Sequence, residues 1–138
     1  VILDGQLTDI SGVDTARLIR EKTGDASPIL AISAYDWSDI EPAAKAAGVR
    51  AREIQISFSH TRPDGRDFST ALSEAGASFR ASGENIAYGQ RSAEQVMDVW
   101  MNSAGHRANI LNPGYSRIGI GHVKDSRGVD HWVQLFLN

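Results

Sequence analysis

Four histidines and 17 aspartates and glutamates, with no cysteine, set the chemistry open to this 138-residue chain. Thiolate nucleophiles, thiolate-held metals and disulfides are excluded, and the composition is silent on redox compartment. What remains is imidazole and carboxylate chemistry. A neutral imidazole is both a metal ligand and a proton acceptor near neutral pH, and a carboxylate beside it can complete a divalent-metal site, such as one for Zn²⁺, or a general acid–base pair. His60, Glu84 and His106 lie far apart in the sequence, and each stands at an element end beside a turn. A site assembled by the fold has this form, although polar residues at turns also serve simply to bond backbone groups. Glu84 in particular can accept from backbone donors and lock the loop under His60. His122 and His131 flank a turn near the C-terminus and read as exposed, without a role.

The elements that must position these groups follow from periodicity and turn chemistry. Val1-Ile-Leu3 reads as a buried strand ending at Asp4. Ser11 or Asp14 can cap a helix to about Lys22, and Ile29-Leu-Ala-Ile32 is a second strand, so a parallel βαβ unit is expected. Asp39 can cap a helix whose apolar stripe runs Ile40, Ala44, Ala47, Ala51, Ile54, Phe58. That spacing predicts one rod over 39–58, with Gly48 as its weak point. Asp67 to Ala75 reads as a short helix stopped by Gly76, and Ala77 to Ser82 as a strand. Ser92-Ala-Glu-Gln95 opens a helix with Val96, Val99 and Trp100 on one face. His106 to Leu111 adds a further turn or two, and Ile118–Val123 with His131–Leu137 forms a hairpin. Gly119 and Gly121 strip one sheet face of side chains, which suits close helix packing. Trp100 and Trp132 read as core aromatics.

The formal charge of −3 and the absence of a basic run argue against a nucleic-acid partner. No apolar stretch approaches the ~20 residues of a membrane span. The start at Val1 inside a strand, with no initiator Met, reads as a processed or excised piece. An open βαβ edge could pair with another chain, making a homodimer a further expectation.

Five ordered stretches carry a resemblance: Phe58-Ser-His-Thr-Arg-Pro-Asp-Gly65, Gly83-Glu-Asn-Ile-Ala87, Trp100-Met-Asn-Ser-Ala-Gly-His-Arg-Ala-Asn-Ile-Leu111, Ile118-Gly-Ile-Gly121 and Trp132-Val-Gln-Leu-Phe136. From about Ala51 to Phe136 the chain resembles the CAP superfamily of cysteine-rich secretory, antigen 5 and pathogenesis-related 1 proteins, in its cysteine-free bacterial form. The resemblance implies a three-layer α/β/α sandwich. With the βαβ unit and the hairpin, the sheet is expected to be mixed. It also implies a cleft holding two histidines and acidic groups, which on this chain are His60, His106 and Glu84. They are candidates for catalysis and for holding a metal. A second acidic residue expected soon after the tryptophan is missing, since Trp100 is followed by Met101-Asn102-Ser103; Asp64 and Asp98 are the available substitutes.

Residues 1–49 instead resemble half of a response-regulator receiver, with Asp4 as phosphoacceptor and Ser33 as switch hydroxyl. The metal-holding acidic pair and the closing Lys-Pro strand of that family are absent. The expectation is therefore one hybrid domain over 1–138, natural or engineered, with a receiver-like βαβα segment at 1–49 and a CAP-like segment at 50–138. Three functions follow: a CAP-like domain binding a lipid or peptide, a folded hybrid without native activity, and a metal-dependent hydrolase. CAP relatives suggest an extracellular setting, and the receiver-like segment a cytoplasmic one.

Overall fold

The structure is a computed structural model and describes residues 2–4, 30–32 and 37–138, with side chains from residue 41 onward. It divides into two compact units, Val1–Trp37 and Ser38–Asn138. In the first, β1 (Ile2–Asp4) pairs in parallel with β2 (Leu30–Ile32), in register Ile2↔Leu30 to Asp4↔Ile32. That pairing matches the strands of the expected βαβ unit. The helix expected between them, the Ser33 hydroxyl and the side chain of Asp4 lie outside the described residues.

The second unit runs α1 (Trp37–Glu53), α2 (Ser69–Glu74), β3 (Ser82–Tyr88), α3 (Ala93–Met101), α4 (Ala104–Ile110), β4 (Arg117–Lys124) and β5 (Asp130–Leu137). Its three strands form an antiparallel sheet in the order β3-β5-β4. Helix α1 covers one face, while α3 and α4 cover the other. The chain is therefore α/β with three layers in this unit, and its parallel and antiparallel strands belong to separate sheets.

Small residues decide how closely α1 approaches. Ala43, Ala46, Ala47 and Ala51 are all buried against the sheet together with Ile54. Opposite them Gly119 and Gly121 carry no side chain, and a Cβ on either would lie 2.1 Å from the carbonyl oxygen of Ala43 or Ala47. Helix packing is thus what the alternating glycines serve. Gly48 does not interrupt α1.

The rod expected over 39–58 is shorter than its stripe suggested. The helix ends at Glu53, and Phe58 is 49% exposed beyond it. The buried seam follows Ala43, Ala47, Arg50 and Ile54, while Ala44 is only half-buried. Arg50 helps end the helix: its Nη2 donates to the Ser59 carbonyl at 2.6 Å and turns the chain back.

Other boundaries shift less. Gly76, at φ +88°, closes α2 as expected. Ser92 caps α3 by accepting from the Gln95 amide at 3.2 Å. The strand after α2 occupies Ser82–Tyr88 rather than 77–82, which moves Glu84 from a loop into the sheet. Trp100 and Trp132 pack with Ala87 and Val96 in the core of the α3 face. Val99 turns away from them and stays half in solvent.

Candidate functional site

Strand β3 is an edge strand, and alternation sends its successive side chains to opposite faces. On the α1 face Glu84 is fully buried, as is Arg50 opposite it. Arg50 donates from Nε to Glu84 Oε2 at 2.7 Å and from Nη2 to Oε1 at 3.1 Å. His60 Nδ1 lies 2.9 Å from Oε1 of the same carboxylate. Because a carboxylate only accepts, Nδ1 carries the hydrogen, and whenever the ring is neutral its lone pair lies on Nε2. Arg50 also binds Glu53 at 2.7 Å, and Arg62 continues the ladder to Glu53 and Glu74. Burial works against the Arg50 charge, yet its bonds to Glu84 and Glu53 raise its pKa.

On the other face the support is neutral. Buried Asn85 donates from Nδ2 to the His106 carbonyl at 3.1 Å and to Gln134 Oε1 at 3.0 Å. Asn109 donates to Asn85 Oδ1 at 2.9 Å. These amides pin α4 to the sheet and place His106 through its backbone alone. Its ring atom Nδ1 is buried without a protein partner. Burial, and then the nearby charge of His60, lower the His106 pKa.

His60 and His106 converge on one cleft of about 440 Å³ at the free side of β3. Phe58, Ser59, Ile86, Ala87, Tyr88, Gln90 and Val99 complete its lining. Phe58 and Tyr88 meet edge to face at 4.8 Å, and both are about half exposed. Gln90 Oε1 is a second buried polar atom without a protein partner. Glu84 does not line the cleft; it stands behind His60 and orients the ring.

The trio expected to hold a metal therefore splits into two cleft imidazoles and one supporting carboxylate. Both Glu84 oxygens are already engaged by Arg50 and His60. No three His, Cys, Asp or Glu side chains gather in a metal-holding group among the described residues. A three-ligand Zn²⁺ site does not fit this donor set. Neither substitute acid lines the cleft: Asp64 is held by Arg66, which lowers its pKa to about 2, and Asp98 is exposed.

His131 and His122, read as exposed, are not. His131 is 4% exposed and stacks on Tyr88. His122 is half-buried, stacks on Trp132 at 3.9 Å and reaches Asp130 at 2.8 Å. The sequence reading also missed Arg50, Asn85, Gln90 and Gln134. One signal was available: Arg50 stands at helical spacing on the face of Ala43, Ala47 and Ile54, whereas the strand Ser-Gly-Glu-Asn-Ile-Ala-Tyr gives no comparable sign of a buried asparagine.

Comparison with known proteins places this geometry. The family model described as "CAP: Cysteine-rich secretory protein family" matches residues 30–136. The chain is similar to YkwD of Bacillus subtilis (strain 168), 36% identical over 99 residues, covering 70% of this chain and 37% of that protein. It is also similar to the crystal structure of an extracellular protein containing an SCP domain from Bacillus anthracis. There the TM-score is 0.65 and the identity 27%, over 92% of this chain and 39% of the other. An outer surface protein of Borrelia burgdorferi shares the fold at TM-score 0.64 and 22% identity, over 92% of this chain and 88% of that one. The chain spans well under half the length of the Bacillus relatives it matches. The matched span begins at residue 30, inside the stretch that resembled a receiver, so neither the junction near residue 50 nor a fusion gains support. Two thirds of the chain and more match in order, and the chain belongs to the cysteine-rich secretory protein (CAP) family.

Proposed function

We propose that this CAP domain binds a small amphipathic ligand, of fatty-acyl or peptide kind, in the cleft between His60 and His106. The observation that supports this reading is the composition of the cleft wall. Phe58, Tyr88 and Val99 keep large apolar surface half exposed around one cavity instead of burying it. Clustered exposed apolar groups with a few convergent polar ones mark ligand sites. Here the polar groups are the two imidazoles and Gln90.

The ligand's apolar part sits among Phe58, Ile86, Tyr88 and Val99, and its polar part meets the imidazoles. No metal takes part in this reading, and the hydrolase alternative has no three-ligand set among the described residues to support it. Two structural relatives, an extracellular protein of Bacillus anthracis and an outer surface protein of Borrelia burgdorferi, favour work outside the cell. Among the described residues no helix is long and apolar enough to cross a membrane.

The test is a nitrogen-15 NMR titration with dodecanoate and with acetyl-alanyl-leucyl-alanine amide. At least one probe should shift the amides of Tyr88, Gln90 and Val99, and Val99→Glu should weaken it about tenfold by placing a charge in the apolar wall. Silence at millimolar concentrations of both probes would overturn the reading.

A further inference from the structure

The polar atoms at the cleft floor distinguish between ligand classes. In an antiparallel strand, alternate residues turn their N–H and C=O toward the partner strand or away from it. The Ile86 carbonyl accepts from Trp100 Nε1 and the Glu84 carbonyl from Asn109 Nδ2, each at 3.4 Å. Those two residues therefore point away from β5. The Gly89 amide donates to the Asp130 carbonyl at 2.8 Å, so the residue after β3 faces β5. By the same alternation the Tyr88 N–H and C=O turn to the free edge, where the cleft lies. Side chains of α3 and α4 cap the carbonyls of Glu84 and Ile86, and among the described residues no side chain does the same at Tyr88.

Of the three buried side-chain atoms without a protein partner among the described residues, two, Gln90 Oε1 and His106 Nδ1, belong to residues that line the same cleft as Tyr88. An amide oxygen buried without a donor is costly, so a ligand that supplies an N–H gains from the pairing. A carboxylate brings acceptors only and would leave Gln90 Oε1 unsatisfied. A peptide brings alternating donors and acceptors, which match the Tyr88 edge and Gln90 together.

We infer that the cleft reads an extended peptide, pairing one residue of its main chain with Tyr88 and giving an amide hydrogen to Gln90. An apolar side chain of the peptide then packs among Phe58, Ile86 and Val99. This is strand addition shortened to a single rung, because Trp100 and Asn109 already occupy the outward carbonyls of Ile86 and Glu84. The inference rests on the amphipathic-ligand reading above and assigns its ligand class.

The decisive comparison uses acetyl-alanyl-leucyl-alanine amide, its ester analogue in which one amide N–H is replaced by oxygen, and dodecanoate, each titrated by NMR. Moving the ester along the chain gives two positions that each weaken binding about two- to tenfold, the range of one hydrogen bond: the N–H that meets the Tyr88 carbonyl and the N–H that meets Gln90. In Gln90→Leu the second difference disappears and the first remains. Equal affinity for every ester and the parent overturns the inference, and this arm needs no variant, so a folding failure of Gln90→Leu cannot mask the result. Binding of dodecanoate without binding of the peptide overturns the peptide inference and leaves the broader reading standing. Absence of binding by all three overturns both.

Discussion

The two imidazoles that flank β3 are held in opposite ways. His60 is fastened by its ring: Nδ1 meets a fully buried carboxylate that Arg50 grips with two nitrogens. His106 is fastened by its backbone: Asn85 takes the carbonyl, and Nδ1 is left with no protein partner. One side of the strand invests a buried ion pair, and the other a set of neutral amides. The difference teaches that one residue type at one cleft can be given two chemistries by what stands behind it. His60 is oriented, with its free nitrogen defined. His106 is kept neutral more readily, and its Nδ1 is buried without a protein partner.

The sharpest way to break this comparison is to remove the ionic support. Arg50→Met strands Glu84 as a buried charge and should cost about 3–5 kcal/mol in urea unfolding. Adding Glu84→Gln should recover much of that loss, because the pair is removed together. A double variant no better than Arg50→Met would show that packing of the arginine stem, not charge, carries the effect.

Removing the neutral support should cost less. Asn85→Ala withdraws donors from the His106 carbonyl and Gln134 and an acceptor from Asn109, for an expected loss of about 1–3 kcal/mol. Its NMR spectrum should move His106 and Asn109 while leaving the His60 ring unchanged. Equal movement on both sides of β3 would deny that the two supports are separate.

The smallest effect is in pH. His106 titrates below the ordinary imidazole value of 6.5, from burial and then the charge of His60. The unfolded chain therefore takes its proton more readily. Stability linked to this group is fully present above that value and is lost as pH falls through the folded one. His106→Gln should lessen the acid-side decline in unfolding free energy, and an unchanged slope would remove the linkage.

Much of the fold was legible because local rules agreed with the packing. Ser92 capped its helix, Gly76 ended another, and Gly119 and Gly121 marked the seam where α1 approaches. The C-terminal hairpin announced itself by alternation and a glycine turn. The failures lie where a tertiary partner overruled the pattern. A stripe of small and apolar residues ran on to Phe58, but Arg50 caught the Ser59 carbonyl and bent the chain. A glutamate next to a glycine looked like a loop residue, and pairing with Leu135 made it part of a strand. Charged and amide side chains have no periodicity of their own to betray whether they are buried.

Residue types and their order alone thus determined the family, the α/β class, the helix that lies flat on glycines, and the pair of histidines. These depend on local propensity and on ordered motifs, which travel with the chain. Only the tertiary structure decided that Glu84 supports rather than lines the site, that Arg50 neutralises it, and that Phe58, Tyr88, Val99 and Gln90 form the wall. Those roles arise from which burial each neighbour permits, a property of the packed arrangement and not of any segment.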